Sequence, residues 1–310
     1  MKLEGIHHIT AITGDAPRNV EFYAGTLGLR MVKKTVNQDD PTVYHLFYGD
    51  DDGSPGMDLT FFEYPGARPG RAGAGMVHRI GWRVASEAAL DFWERRLAGE
   101  GFSSTRSEGG LRFADPEGLE HELHVYEGSE DPLLADAPDV PAEHALHGFA
   151  GVRAYAADPG ASTPLLADAL GFSDEGDGRW SVAGDARSSY YVYDAPPEAR
   201  GLSGGGTVHH VAFSSQMDDH ERWRERALAG GAHATPVIDR FYFRSIYFRE
   251  PSGVLFEIAT MGPGFTADEP AETLGQALSL PPNYEQYREQ LERTLTPLPD
   301  PRAARAGAAR

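Results

Sequence analysis

The chain says one thing four times. GIHHITAIT from Gly5, MVHRIGWRV from Met76, ALHGFAGVRAY from Ala145 and TVHHVAFSS from Thr207 each set a His among β-branched and apolar residues, and each reads as a strand. Each opening is followed by a stretch with helical period: PRNVEFYAGTLGL from Pro17, EAALDFWERRLAGEGF from Glu87, STPLLADALGF from Ser162 and DHERWRERALAGGA from Asp219. Val20, Tyr23 and Leu27, and again Leu90, Trp93 and Leu97, recur at three- and four-residue steps. Glycine near the end of each stretch suits a helix C-cap. Short strand-like runs follow, and units two and four close on nearly one phrase, FADPEGLEHELHV from Phe113 and FREPSGVLFEIAT from Phe248. A Pro-x-Gly turn sits between strands in both. The repeating unit is therefore βαβββ. A single unit exposes one sheet face, so units must pair to bury it.

The expected class is α+β, with four βαβββ modules paired into two cup-shaped barrels and a short C-terminal helix. Residues 1–140 carry modules one and two, 141–262 modules three and four, and 263–310 an extension. PPNYEQYREQLERTL from Pro281 suits a short helix with Tyr284, Tyr287 and Leu291 on one face, and the tail after Thr296, lacking an apolar period, reads as flexible. Hydrophobic residues make up 40% of the chain, enough for a substantial core. With no cysteine, disulfides, thiolate metal sites and a cysteine nucleophile are excluded together, so any metal must take nitrogen and oxygen ligands. A formal charge of −19 repels nucleic acid and anionic lipid. No stretch approaches the ~20 apolar residues of a membrane span, and the N-terminus lacks a signal-peptide run, so a soluble, cytoplasmic protein is expected. The acidic runs at Asp50–Asp52, Asp174–Asp177 and Asp218–Asp219 read as solvated loops.

Four βαβββ units that open on His-bearing strands resemble the vicinal-oxygen-chelate superfamily of glyoxalases, fosfomycin-resistance enzymes and extradiol ring-cleaving dioxygenases, over roughly residues 5–260. That resemblance implies paired units curled into a cup around a metal. Superposing the units on one another shows which cup. At the second residue of the His pair stand His8, Arg79, Gly148 and His210 in units one to four. Four residues past the turn glycine stand Thr60, Glu122 and Glu257 in units one, two and four, and unit three offers no carboxylate. The outer units thus supply His8, His210 and Glu257, while the inner units supply Arg79, Gly148 and Glu122, and an arginine there repels a cation. Two neutral imidazoles and one carboxylate with open positions are the ligand pattern of non-haem Fe(II) oxygenases. Glyoxalases usually close the metal with a fourth protein ligand, where this chain has Thr60. Fosfomycin-resistance enzymes share the three-ligand pattern, so the triad alone does not select oxygen chemistry.

The flanking phrases narrow the resemblance. GIHHIT, VKKT at Val32, YHLFYGD at Tyr44, LTFFEYP at Leu59, VHHVAF at Val208, the run DRFYFRSIYFREPSGVLFEIAT from Asp239 and the tail helix are similar to the chlorohydroquinone and hydroquinone ring-cleaving dioxygenases. That likeness implies Fe(II), with Mn(II) the alternative, a small aromatic substrate and dioxygen, and His7, Thr10, His209, Arg240 and Tyr247 around the metal. Thr10 shares the face of His8 by strand alternation, whereas His7 and His209 start on the opposite face and enter the site on the resemblance alone. The resemblance gives Arg240 the stabilisation of negative charge, and His209 and Tyr247 the movement of protons. Two other classes compete: a Lewis-acid lyase, isomerase or transferase using Mn, Ni or Zn, separated by its indifference to dioxygen, and a non-catalytic quinone or drug binder. Paired-unit proteins often dimerise, which admits a homo-oligomer. His45, His78, His121, His124 and His147 read as structural, Phe61, Phe62, Tyr190 and Tyr191 as core, and Gly204–Gly206 as the linker into unit four.

Overall fold

In a computed structural model that describes residues 1–107 and 109–308, the four modules form two eight-stranded sheets. Module one comprises β1 (Ile6–Thr13), α1 (Ala16–Val20) continued by a π-helical turn (Glu21–Thr26), β2 (Arg30–Asn37), β3 (Asp40–Gly49) and β4 (Asp58–Glu63). Module two holds β5 (Met76–Val84), α2 (Glu87–Gly99), β6 (Ser104–Ser107), β7 (Gly110–Ala114) and β8 (Glu120–Val125). Module three has β9 (Phe149–Tyr155), two short helical turns (Pro159–Ser162 and Pro164–Ala169), β10 (Ser173–Gly176), β11 (Arg179–Ala183) and β12 (Ser188–Asp194). Module four has β13 (Thr207–Ser215), α3 (His220–Ala229), β14 (Ile238–Asp239), β15 (Phe243–Arg249) and β16 (Leu255–Pro263).

The sheets do not follow the halves of the chain. The outer sheet runs β14-β15-β16-β13-β1-β4-β3-β2 and joins modules four and one through the antiparallel pair β1–β13. The inner sheet runs β10-β11-β12-β9-β5-β8-β7-β6 and joins modules three and two in the same manner. This is the outer-with-outer, inner-with-inner pairing that the ligand rows require. The helices fall where the apolar stripes place them and bury Val20, Tyr23 and Leu27, then Leu90, Trp93 and Leu97, against the sheets. Ser86 caps α2 by accepting from the Ala89 N–H. Gly56, Gly118 and Gly253 turn before the closing strands of units one, two and four with φ of 109°, 93° and 110°, a region that a side chain rarely adopts.

The extension folds back on the outer sheet. Lys33 on β2 is fully buried, and its ammonium donates to Phe265 O at 3.1 Å, to Asp268 at 2.8 Å and to Glu269. These contacts supply the pairing that a buried charge requires. A helical turn (Glu285–Tyr287) leads into α4 (Arg288–Thr294), and Tyr284 donates to Gln38 O at 2.6 Å. The tail expected to be flexible forms α5 (Pro301–Ala308). Arg305 pairs with Glu100 and Asp139 at 2.8 Å each, and Pro301 packs on Gly25. A second correction concerns Asp50, expected in a solvated loop: it is 4% exposed and accepts from the Ser54 N–H at 2.7 Å. Among the described residues no helix is long and apolar enough to cross a membrane.

Candidate metal centre and its cavity

The strand register of the outer sheet gathers the site. Thr10 on β1 lies opposite His210 on β13 and beside Thr60 on β4, and Glu257 on β16 lies opposite Tyr247 on β15. Residues in register share a face, so one concave surface carries His8, Thr10, Thr60, His210, Tyr247 and Glu257. The His8 and His210 Nε2 atoms are 3.2 Å apart, and Glu257 Oε2 lies 3.2 and 2.9 Å from them. Among the described residues this is the one group of three or more His, Cys, Asp or Glu side chains placed to hold a metal ion.

His7 and His209 reach the same surface for a reason that alternation misses. The β1–β13 ladder slips between Ile6 and His8, and again between Thr10 and Ala11. The first slip makes His7 the extra residue of a bulge on β1, and the second does the same for His209 on β13. A bulge bends the strand and re-aims the extra side chain. His7 Nδ1 then meets His8 Nδ1 at 3.0 Å, and its Nε2 lies 3.1 Å from Thr260 O. His209 Nδ1 meets His210 Nδ1 at 2.8 Å. These contacts assign tautomers. A carbonyl can only accept, so His7 carries its proton on Nε2 and its Nδ1 accepts from His8 Nδ1–H. His8 Nε2 is left with a free lone pair, as a ligand requires. His209 can do the same for His210. Burial holds His7 neutral, pulled down to about 3, and His209, pulled down to about 4.

Two imidazole lone pairs and a carboxylate oxygen facing each other at about 3 Å leave room for one positive charge between them. Ser245 donates to Glu257 Oε1 and turns Oε2 toward the imidazoles, where that buried oxygen makes no hydrogen bond of normal geometry. An orphaned buried carboxylate oxygen among two imidazole nitrogens fits a divalent cation.

The three side chains lie in the wall of a cavity of about 470 Å³, within the range of small-molecule sites. Phe47, Phe62, Tyr64, Phe243 and Leu255 line it, with Arg240 and Tyr247 on the β14–β15 side. Arg240 Nε donates to Tyr247 OH at 3.2 Å, and its two Nη groups grip Asp39 of the β2–β3 turn at 3.1 and 3.0 Å. Burial raises the Tyr247 hydroxyl, which keeps it protonated at neutral pH. The structure therefore brings all eight sequence-selected residues to one place. It adds two that the sequence reading left aside. His45, read as structural, lines the cavity, and so does Phe62, read as core.

The inner sheet shows what the same framework does without the triad. Its register places Gly151, and not Gly148, at the position of His210, because Gly81 pairs with Gly151 as Thr10 pairs with His210. The LHG phrase imitates the His pair three residues too early. Arg79 bonds Glu120 at 2.8 Å, with Glu122 at 3.5 Å, and Glu122 takes its closer partner from Arg112 at 2.7 Å. Tyr190, expected in the core, fills this cup: a Cβ on Gly81 would stand 1.9 Å from its hydroxyl. The hydroxyl lies 3.1 Å from His124 Nε2.

Curled βαβββ pairs with a His, His, carboxylate group in one cup define a metal-site protein of the Glyoxalase/Bleomycin resistance protein/Dioxygenase superfamily, whose family model matches residues 5–123. Relatives place the chain more narrowly. It is 41% identical over 305 residues to the Bacillus subtilis protein named "Putative ring-cleaving dioxygenase MhqO", covering 96% of this chain and 97% of that one. It is 34% identical over 314 residues to the chlorohydroquinone/hydroquinone 1,2-dioxygenase of Sphingobium indicum, covering 95% and 96%. The crystal structure of a "putative dioxygenase" from Bacillus subtilis superposes with a TM-score of 0.90 at 40% identity, covering 96% and 98%. The chain belongs to this ring-cleaving dioxygenase family.

Proposed function

We propose that this protein is an Fe(II)-dependent dioxygenase that opens the ring of hydroquinone-type aromatics, with His8, His210 and Glu257 holding the metal. The observation that carries the reading is the convergence of His8 Nε2, His210 Nε2 and Glu257 Oε2 beside an aromatic-walled cavity. His8, His210 and Glu257 would hold the metal and leave positions open for substrate and dioxygen, and a bound Fe(II) would supply the electronic link between the two. Thr60 stands where a fourth carboxylate would close the site, which favours this chemistry over that of a glyoxalase.

The chain's own residues supply the rest. Phe47, Phe62 and Phe243 present apolar surface to an aromatic ring and keep water from it. A para-diol cannot chelate through both oxygens, so one hydroxyl faces the metal centre and the other lies along the cavity. Arg240, fixed by Asp39 and Tyr247, sets a positive charge against negative charge that develops on a ring oxygen. Tyr247 donates a proton from its hydroxyl. His209, neutral and with Nδ1 engaged by His210, exchanges one at Nε2. His7 holds His8 in its ligating tautomer.

The test is oxygen uptake after anaerobic reconstitution with Fe(II), using hydroquinone and methylhydroquinone, beside Glu257→Ala. Uptake that needs Fe(II), substrate and Glu257 together is the expected result. No uptake with a panel of para- and ortho-diols at stoichiometric metal would defeat the reading and favour a Lewis-acid lyase or isomerase using Mn, Ni or Zn.

A further inference from the structure

Behind the triad lies a chain of buried polar groups that neither metal binding nor the roles above require. Thr10 Oγ1 is 2.9 Å from His210 Nε2, Thr60 Oγ1 is 2.8 Å from Thr10 Oγ1, and His45 Nε2 is 2.9 Å from Thr60 Oγ1. Thr10 and Thr60 are fully buried, so their hydroxyls have no water to exchange with and are satisfied only through this chain. Its far end surfaces in the cavity: His45 is a wall residue, its ring 4.0 Å from that of Phe47 and 4.4 Å from that of Phe62. Its Nδ1 has no hydrogen-bond partner among the described residues. The inner sheet, which lacks the triad, lacks the chain too. Gly81 takes the place of Thr10, Glu122 that of Thr60, and Gly110 that of His45 by strand register. The framework therefore folds without these three polar groups.

We infer that Thr10, Thr60 and His45 form a proton relay that takes the proton from the substrate hydroxyl at the metal centre and delivers it to the cavity. The inference rests on the ring-cleaving reading. With His45 in its Nδ1–H tautomer, Thr10 O–H donates to Thr60 and Thr60 O–H donates to His45 Nε2. The substrate hydroxyl passes its proton to Thr10 Oγ1, Thr10 passes its own to Thr60, and Thr60 passes its own to His45 Nε2. His45 releases Nδ1–H to cavity water. The substrate becomes the phenolate, water gains the proton, and the three side chains remain neutral with each hydrogen moved one place. Reversal re-protonates an oxygen of the product. Burial keeps His45 far below its usual range, so it works as a neutral shuttle and does not trap the proton as imidazolium. With a cation on His210 Nε2, that lone pair no longer accepts from Thr10, so the Thr10 O–H turns to Thr60 and a lone pair on Thr10 Oγ1 is left to accept from the substrate hydroxyl. His45 and Thr60 act through Thr10 and are positioning residues.

The test uses Fe(II)-loaded protein under argon, mixed with methylhydroquinone in stopped flow. Phenolate absorbance and proton release to an indicator dye are followed in H2O and D2O. Thr60→Val keeps the shape and removes the hydroxyl, Thr60→Ser restores it, and His45→Phe removes the terminal group. The expected result is phenolate formation slowed about a hundredfold in Thr60→Val and His45→Phe, within the range of proton-transfer catalysis. Thr60→Ser restores the rate, the solvent isotope effect changes with the slow variants, and metal content stays at the wild-type level. Wild-type rates and isotope effect in Thr60→Val would overturn the relay and leave the dioxygenase reading intact. A wild-type protein that neither ionises the substrate nor consumes oxygen would overturn both.

Discussion

Glu257→Gln separates charge from shape at the centre of the site. The amide keeps the length of the side chain and an oxygen for Ser245 to donate to, and removes the one negative charge facing two imidazoles. A unit charge pair at 4 Å with an effective dielectric of 20 is worth about 4 kcal/mol, and a divalent ion within ligand reach feels at least that. At about 1.4 kcal/mol per decade, metal affinity should fall about a thousandfold. The fold should tolerate the change, because the two histidines can remain neutral once the carboxylate is gone. The assay is chelator-competed titration with Mn(II) in air and Fe(II) under argon, beside a melting curve of the metal-free protein. A Gln variant that binds metal within tenfold of wild type would refute the assignment of Glu257 as a ligand. A variant that fails to melt cooperatively would instead show the carboxylate to be part of the core.

Four further outcomes follow from the same geometry. Ser245→Ala frees Glu257 to rotate and should weaken metal binding about 10- to 100-fold, read in the same titration. Tyr247→Phe removes a proton donor fixed by Arg240 and should lower kcat for hydroquinone by about a hundredfold with a smaller change in KM; unchanged turnover would remove Tyr247 from the scheme. Tyr190→Ala should open the inner cup without creating a second site, so metal content stays at one ion per chain by elemental analysis while stability falls by about 2 kcal/mol. Asp115 joins Tyr23 to the module-two turn, and burial raises its carboxyl to about 6. Its folded value lies above its unfolded value, so the folded state holds the extra proton, and the stabilisation present below about pH 4 is lost as pH rises through 6. The shift is worth about 3 kcal/mol. Urea denaturation should therefore show Asp115→Asn gaining on wild type as pH rises from 4 to 7, and a constant gap would contradict the shift.

How much of this was legible in the sequence depended on whether a signal repeated. His8 and His210 stood out because one strand position carries His in two units and loses it in the other two, and Glu257 because its phrase recurs as LEHELH. Those comparisons needed no knowledge of contacts, and they also implied which modules share a sheet. Where alternation was taken as strict, His7 and His209 fell on the wrong face, because a bulge adds a residue without a mark in composition. Two adjacent histidines at one repeat position were the available hint, since a strand rarely spends polar residues on both faces at once. Gly148 has a different cause: the LHG phrase resembles the His pair, but the ladder aligns Gly151, three residues further on. His45 was passed over because a single His on a strand carries no spacing, and its meaning comes from Thr60, fifteen residues away across a turn. The last helix was missed because ion pairs to distant residues hold it.

The pairing of first module with last also fixes when the protein becomes competent. His8 and His210 are separated by 202 positions in the chain. During synthesis every strand of the inner sheet has been made by Asp194, and those contacts can close while the ribosome is still at work. β1 must wait, with one edge unpaired, until β13 is made, and Glu257 arrives later still. A product cut short between Asp194 and Glu257 therefore carries every strand of the inner sheet and an incomplete triad. Metal loading then reports that synthesis has passed Glu257, and the open edge of β1 marks the interval in which this chain is most exposed to wrong partners.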